Sequence, residues 1–95
     1  MRFNLDAVAP LYAQLAEIVL PGIAGTELHK ASAFADYMGS LASELCRASC
    51  LRDVGITASD IEMLAADAMK QTRLLGNNPR EVSLADVRAI YLEIL

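Results

Sequence analysis

The stretch Leu51-Arg52-Asp53-Val54-Gly55-Ile56-Thr57-Ala58-Ser59-Asp60-Ile61 contains one sharp turn followed by a complete helix start. Gly55 predicts the turn, because glycine adopts the left-handed backbone conformation that other residues resist. Thr57 predicts an N-cap, since a threonine hydroxyl accepts a hydrogen bond from a free amide of the first helical turn. Asp60 places a carboxylate three residues later, where it reaches back to the cap and meets the positive end of the helix dipole. We therefore predict a turn at Gly55 and a helix from Ala58.

A second helix start repeats this order of residues further along the chain. Ser83 stands in the cap position and Asp86 in the carboxylate position. Val82 precedes Ser83, and Val87 follows Asp86. Between the two starts lies Gly76-Asn77-Asn78-Pro79-Arg80, which is rich in residues that favour loops. The sequence therefore predicts a loop over 76–80 and a last helix from Leu84. Arg80 is expected to pair with a carboxylate or with a backbone carbonyl.

Composition favours packed helices and excludes several kinds of partner. Of the 95 residues, 55% are hydrophobic but only 5% are aromatic. Alanine and leucine, both good helix formers, make up most of the hydrophobic residues. The net charge is −4 and no basic run occurs, which excludes a nucleic-acid surface. No apolar stretch reaches the roughly 18 residues that a membrane span needs. Without the basic and apolar regions of a signal peptide at its start, the chain is expected to be cytoplasmic.

Hydrophobic spacing predicts an all-α fold, a bundle of four main helices after a short N-terminal segment, forming a single domain over residues 1–95. The predicted helices run from Pro10 to about Val19, from about Glu27 to Arg47, from Ala58 to about Gln71, and from Leu84 to about Ile94.

Each predicted helix carries an apolar face. The first has Leu11, Leu15, Ile18 and Val19; the second has Leu28, Ala31, Ala35, Met38, Ala42 and Leu45, with a second row of Phe34, Tyr37 and Leu41; the third has Ile61, Leu64, Ala65, Ala68 and Met69; the last has Val87, Ile90, Tyr91 and Ile94. Three helices cannot cover both rows of the second, so some apolar surface is expected to need a partner. The predicted uncovered face is Leu11, Leu15 and Ile18, together with Phe34 or Leu41.

The residues that usually carry chemistry are few. Cys46 and Cys50 share one helix face at four-residue spacing, and we interpret them as reduced thiols near a helix end. A small metal-binding or thiol-redox protein built on this pair is the alternative. His29 is the only histidine and is expected at the surface. The segment Gly22-Ile23-Ala24-Gly25 has neither the spacing nor the preceding strand of a phosphate-binding loop.

Several short motifs, taken in order, resemble a known family. They are LRDVGI at 51–56, DI at 60–61, NPR at 78–80, DV at 86–87 and IY at 90–91, with the opening MRFN at 1–4. Together they resemble the C-terminal end of the iron-containing alcohol dehydrogenases, over nearly the whole chain. The chain departs from that pattern at residues 46–50, Cys-Arg-Ala-Ser-Cys, where relatives often carry a glycine and a proline.

The resemblance implies an enzyme in which iron (or zinc) polarises an oxygen while hydride moves to or from NAD(P). Its metal ligands and nucleotide-binding fold precede the matching segment, so it implies no catalytic, metal or cofactor residue in this chain. It implies a substrate-pocket wall at Leu74, Leu75, Gly76 and Asn77; the alternative is that these residues only join two helices. The expected partner is the upstream nucleotide- and metal-binding portion of the enzyme, or a second copy through self-association. The alternative function is a free-standing helical protein-interaction module with no enzymatic activity.

Overall fold

The computed structural model describes residues 1–45 and 50–95. Their regular structure is entirely helical, which confirms the all-α class. A short 3-10 turn at Arg2–Asn4 precedes the first helix, as the predicted N-terminal segment does. The helices of the described residues are α1 (Leu5–Val19), α2 (Glu27–Leu45), α3 (Ile61–Ala68), α4 (Thr72–Gly76) and α5 (Leu84–Glu93), and 3-10 turns lie at Leu51–Val54 and Ala58–Asp60.

The chain forms two compact units, residues 1–47 and residues 48–95. In the first unit α1 packs against α2, and in the second α3 packs against α5. The organisation of residues 1–95 as a single domain stays a prediction.

Helix α1 begins five residues before the predicted start at Pro10. Val8 interrupts it with the non-helical angles φ −130° and ψ 21°. Proline lacks an amide hydrogen and its ring clashes with the carbonyl four residues before it, so it fits only near the start of a helical segment. The kink at Val8 gives Pro10 such a position, because the helix restarts just before it.

The first unit is held together mainly by small side chains. The buried residues of α1 are Val8, Ala9, Ala13 and Ala16, and those of α2 are Ala31, Phe34 and Ala35. Alanines at a contact let two helix backbones approach closely. The ring of Phe34 lies against that of Tyr12 with centroids 5.5 Å apart and planes 56° apart. Lys30 and Glu17 form an ion pair at 2.5 Å between the two helices.

The large side chains of α1 do not form its buried face. Leu11, Leu15 and Ile18 are exposed, which confirms the predicted uncovered face in α1. The prediction also placed Phe34 or Leu41 of α2 in this uncovered face. It was wrong for Phe34, which is buried, whereas Leu41 is half-buried. The row predicted for α2 is buried only in its middle, since Leu28, Ala42 and Leu45 are exposed.

Helix α2 begins at Glu27 as predicted. The Thr26 hydroxyl accepts a hydrogen bond from the His29 amide at 3.2 Å, and the Thr26 carbonyl accepts one from the Lys30 amide at 3.0 Å. Thr26 therefore caps this helix. The predicted continuation to Arg47 lies outside the described residues.

The turn at Gly55 forms as predicted. Gly55 has a φ of +86° and ends the 3-10 turn Leu51–Val54. Its amide donates to the Arg52 carbonyl at 3.0 Å, and the Ile56 amide donates to the Leu51 carbonyl at 3.1 Å. This pair of bonds is the Schellman arrangement, which satisfies the last carbonyls of a helical turn. The Leu51 amide donates to the Ile94 carbonyl at 2.9 Å, so the turn is also tied to the end of α5.

Both predicted caps form, with different local geometry. At Ser83 the amide and hydroxyl donate to Asp86 Oδ2 at 2.9 and 2.6 Å, and the Asp86 amide donates back to Ser83 Oγ at 3.2 Å. At Thr57 the amide and hydroxyl donate to Asp60 Oδ2 at 2.9 and 2.7 Å. There the Asp60 amide donates to the Thr57 carbonyl at 3.0 Å. That bond makes the first turn a 3-10 turn, so α3 begins at Ile61 and not at Ala58.

The apolar faces predicted for α3 and α5 are largely confirmed. Ile61 and Ala65 of α3 and Val87 of α5 are buried. The other predicted members, Leu64, Ala68, Met69, Ile90 and Tyr91, are half-buried, and Ile94 is exposed. An ion pair between Arg88 and Glu62 joins the two helices at their edge.

Helix α3 ends at Ala68, three residues before the predicted end near Gln71. Backbone bonds from Lys70 to Asp67 and from Gln71 to Ala68, at 3.1 and 3.0 Å, tighten the chain into a turn. The chain then re-enters a helix at Thr72. The predicted third helix is therefore shorter, and a separate short helix follows it.

Removing either cap hydroxyl is expected to destabilise the fold. We predict that Thr57→Ala and Ser83→Ala each lower the free energy of unfolding by about 1 kcal/mol, the usual cost of losing a serine or threonine cap. Chemical denaturation monitored by circular dichroism measures the change. Ser40→Ala is the matched control, because it removes an exposed hydroxyl from the middle of α2. Unchanged midpoints for both cap variants would contradict the prediction.

Candidate functional site

The four residues expected to form a pocket wall lie on a short helix and not in a loop. Leu74, Leu75 and Gly76 belong to α4, and Asn77 follows as its C-cap. The Leu74 and Leu75 amides both donate to the Gln71 carbonyl at 3.0 Å. Gly76 has an ordinary negative φ, since the glycines with positive φ are three others. The predicted loop therefore begins after Gly76.

The chain after α4 is shaped by Asn78 and Pro79. The Asn78 amide donates to the Leu75 carbonyl at 3.1 Å, and its side-chain nitrogen donates to the Arg80 carbonyl at 2.6 Å. Pro79 lies between Asn78 and Arg80 and cannot continue a helix, because it has no amide hydrogen to donate. The side chain of Asn78 thus folds the backbone around the proline toward α5.

This fold produces a depression of about 380 Å³ on the second unit. Its apolar part consists of Met69, Leu75 and Val82, and its polar part consists of Thr72, Asn78, Arg80 and Glu81, with Gly76 between them. Of the four predicted wall residues, Leu75 and Gly76 line the depression. Leu74 is exposed outside it, and Asn77 is not among the lining residues.

Sequence reasoning did not assign Met69, Thr72, Glu81 or Val82 to the pocket wall, although all four line the depression. Thr72 and Met69 fell inside or beside the predicted third helix, and Glu81 and Val82 fell between the loop and the last helix. The turn at residues 69–71 folds these segments toward each other, and its signal is weak because Lys70 and Gln71 are good helix formers. Pro79 and the run Gly-Asn-Asn before it were the only marks of this region in the sequence.

Arg80 joins the depression to the start of α5. Its guanidinium lies 3.8 Å from Asp86 Oδ1, so the predicted pairing of Arg80 with a carboxylate is confirmed. The Ser83 hydroxyl and the Ser83 amide, with a smaller effect from the Arg80 charge, lower the pKa of the Asp86 carboxyl below its ordinary value. Asp86 is therefore held as a carboxylate that fixes both the cap and Arg80.

The side chains around the depression include polar groups of both charges. Glu81 and Arg80 offer a carboxylate and a cation, and Thr72 and Asn78 offer a hydroxyl and an amide. None of these polar groups is a thiol or an imidazole, and the Arg80 charge faces Asp86. The depression therefore presents apolar and hydrogen-bonding groups side by side.

The other residues singled out from the sequence lie elsewhere. His29 is exposed in the first turn of α2, as predicted. Cys50 is a half-buried free thiol whose amide donates to Asp53 Oδ2 at 3.1 Å. Cys46 lies outside the described residues. Within residues 1–45 and 50–95, no group of three or more histidine, cysteine, aspartate or glutamate side chains is placed to hold a metal ion.

A wider depression lies on the first unit. It measures about 650 Å³ and is lined by Arg2, Asp36, Gly39, Ser40, Ser43 and Glu44. Arg2 and Asp36 form an exposed ion pair across it at 3.0 Å. Its lining combines charges of both signs with the hydroxyls of Ser40 and Ser43. None of the helices in the described parts of the chain is long and apolar enough to cross a membrane.

The fold and the site together describe a chain whose regular structure is helical over the described residues, with a depression beside α4. The profile described as "Fe-containing alcohol dehydrogenase family, C-terminal" matches residues 1–95. The chain belongs to this family, in its C-terminal part, as the sequence motifs indicated.

Two curated relatives are similar to the chain. They are the lactaldehyde reductases of Escherichia coli K12 and Escherichia coli O157:H7, each 32% identical over 92 residues. The alignment covers 96% of this chain but only 24% of each relative, so the chain spans about a quarter of their length. No solved structure matches the chain.

Acid is expected to weaken the fold through the two cap carboxylates. The Thr57 hydroxyl and amide lower the pKa of Asp60, and the Ser83 hydroxyl and amide lower that of Asp86, from the ordinary value of 3.8. A lowered folded-state pKa gives stability that is present above the unfolded pKa and is lost as pH falls through the folded pKa. We therefore predict that the free energy of unfolding decreases as pH falls below the ordinary carboxyl range.

Urea denaturation at a series of pH values from neutral down to about 2.5 measures this dependence. Asp60→Asn and Asp86→Asn should each flatten the curve below pH 4. Glu44→Gln is the control, because it removes an exposed carboxylate of α2 that lies away from a helix start. A curve that both aspartate variants leave as steep as the original would contradict the prediction.

Proposed function

We propose that this chain is the C-terminal helical domain of a metal-dependent NAD(P) alcohol dehydrogenase, an enzyme that interconverts alcohols with aldehydes or ketones. The observation that carries the proposal is the family match over residues 1–95. It is supported by the two lactaldehyde reductases, in which the similar segment is about a quarter of the protein. The remaining three quarters are the proposed partner.

In this proposal the metal and the nicotinamide are held by the upstream portion. This proposal assigns no metal ligand to the chain, in keeping with the lack of a group of three or more histidine, cysteine, aspartate or glutamate side chains placed for a metal ion within residues 1–45 and 50–95. When bound, the metal polarises the substrate oxygen and the nicotinamide exchanges hydride. The proposed metal is iron or zinc, the proposed nucleotide is NAD or NADP, and the proposed location is the cytoplasm.

The part of this domain proposed to approach the substrate is the wall around α4. The supporting geometry is the depression lined by Leu75 and Gly76, whose lining combines apolar and polar side chains. Such a surface restricts the shape of a small substrate without taking part in the chemistry. Leu74 and Asn77 are proposed to complete the wall against the upstream portion.

A free-standing helical interaction module is the second candidate function. The exposed large apolar side chains favour it, among them Ile18, Leu45 and Leu74. Such side chains usually mark a surface that another protein covers. The two candidates differ in whether the chain supports dehydrogenase activity when the rest of such an enzyme is supplied.

The isolated chain is expected to have no activity. We predict no turnover of short alcohols with NAD or NADP, with or without added iron or zinc, because neither metal ligands nor a nucleotide-binding fold are assigned to it. Spectrophotometry at the nicotinamide absorbance band measures this, and intact lactaldehyde reductase of Escherichia coli K12 is the positive control. Metal-dependent turnover by the isolated chain would contradict the prediction.

A graft tests the proposal directly. We predict that this chain, in place of the similar segment of the K12 lactaldehyde reductase, restores lactaldehyde reduction to the truncated enzyme. The truncated enzyme alone is the control. A graft that folds and binds its nucleotide but stays inactive would overturn the proposal in favour of the interaction module.

A single methyl group then tests the pocket wall. A Cβ added at Gly76 meets no other atom within 4 Å, so Gly76→Ala should not disturb this chain. In the graft it should raise KM by up to about tenfold if the wall lines the substrate site, since one methylene changes small-substrate binding by this order. Gly39→Ala is the matched control, because its added Cβ also meets open space. Equal KM values for both variants would contradict the pocket-wall role and leave the family assignment untouched.

A further inference from the structure

Two charged side chains line the depression beside α4, and they differ in what opposes their charge. The Arg80 guanidinium lies 3.8 Å from Asp86 Oδ1, and Asp86 is not among the lining residues. The positive charge of Arg80 is therefore opposed by a carboxylate at the start of α5. Glu81 is exposed, and its carboxylate forms no hydrogen bond or ion pair within residues 1–45 and 50–95. The lining thus carries a negative charge that the described part of the chain does not oppose.

The pairing of Arg80 with Asp86 is set by the helix start. The Ser83 amide and hydroxyl donate to Asp86 Oδ2 at 2.9 and 2.6 Å, while Oδ1 faces Arg80. The same bonds lower the pKa of the Asp86 carboxyl below its ordinary value, so this group is ionised at neutral pH. A carboxylate that enters the depression would compete with Asp86 for Arg80 and would meet Glu81 as a like charge.

The other side chains of the lining are uncharged. Met69, Leu75 and Val82 are apolar, whereas Thr72 carries a hydroxyl and Asn78 an amide. A hydroxyl can both donate and accept a hydrogen bond. A small molecule with an alcohol group can therefore be accommodated here without a charge, whereas an anion brings two like charges together and is disfavoured.

We propose that Glu81 makes the wall beside α4 discriminate against aldehydes and ketones that carry a carboxylate, in favour of uncharged ones that carry a hydroxyl. This inference rests on the proposed function, because it takes the wall to face the substrate of an alcohol dehydrogenase. It adds the class of substrate and the residue that determines it. Glu81 takes no part in hydride transfer; its charge acts on the substrate across the wall.

The graft of this chain onto the truncated K12 lactaldehyde reductase allows a test. Glycolaldehyde and glyoxylate are small aldehydes that carry a hydroxymethyl group and a carboxylate, respectively. The measured quantity is kcat/KM for glyoxylate divided by kcat/KM for glycolaldehyde, at low ionic strength. Glu81→Gln should raise this ratio about threefold, the order expected when one charge a few ångströms away in a water-like medium is removed. Glu81→Lys should raise it further, because attraction then replaces repulsion.

Glu27→Gln is the matched control. It removes the same charge from an exposed residue of α2 that does not line the depression, and it should leave the ratio unchanged. Adding salt to about 0.5 M should shrink the effect of both Glu81 variants, because salt screens exposed charges. An effect of side-chain size or shape would persist in salt. Circular dichroism checks that every variant folds.

Each outcome bears on the proposal. A ratio that rises with Glu81→Gln, rises again with Glu81→Lys and falls back in salt would support it. An active graft whose ratio is the same in all variants, or changes equally with Glu27→Gln, would overturn it and leave the proposed function standing. A graft that folds and binds its nucleotide but reduces neither aldehyde would overturn the proposed function, and this inference with it.

Discussion

The second unit depends on one repeated interaction, an aspartate carboxylate that accepts the backbone amide three residues before it. It joins Cys50 to Asp53, Thr57 to Asp60 and Ser83 to Asp86, at 3.1, 2.9 and 2.9 Å. The first amides of a helix have no partner within the helix, and each carboxylate satisfies one of them while opposing the positive end of the helix dipole. Each also fixes the direction in which the chain enters its helix.

The first unit uses a different constraint, the small size of its contact residues. Alanines let α1 and α2 approach closely, but each alanine removes little apolar area from water. The larger side chains of α1 consequently remain outside. Close packing and incomplete burial are thus two results of the same choice of residues, and they explain why a domain with 55% hydrophobic residues still exposes so many of them.

The helix starts could be predicted from the sequence because capping depends on residues only three positions apart. Thr57 with Asp60 and Ser83 with Asp86 gave the correct starts of two helical segments, apart from the 3-10 first turn at Ala58–Asp60. The third pair, Cys50 with Asp53, was missed because cysteine is not a usual cap residue. The faces of α3 and α5 were predicted well, since Ile61, Ala65 and Val87 are buried and most of the other predicted members are half-buried.

Two features could not be read from local pattern. In α1 the apolar pattern marked Leu11, Leu15 and Ile18, but the neighbouring helix selected the alanine side, and periodicity does not show which apolar side a neighbour contacts. The candidate site was predicted in part: Leu75 and Gly76 line the depression, whereas Thr72 and Glu81 arrive there through the turn after α3. That turn is made of helix-forming residues, so only the packing around it decides that the helix stops.

The backbone conformation at Gly55, and not the space around it, restricts which residue can occupy this position. A side chain there would meet no atom within 4 Å, so the space around it admits almost any residue, while its φ of +86° admits few. The restriction therefore concerns handedness and not size. A D-amino acid favours a positive φ, so it fits this position without strain, whereas the corresponding L-amino acid is strained there. The turn that leads into the helix start at Thr57 therefore favours glycine, or a residue of inverted α-carbon configuration, at this one position.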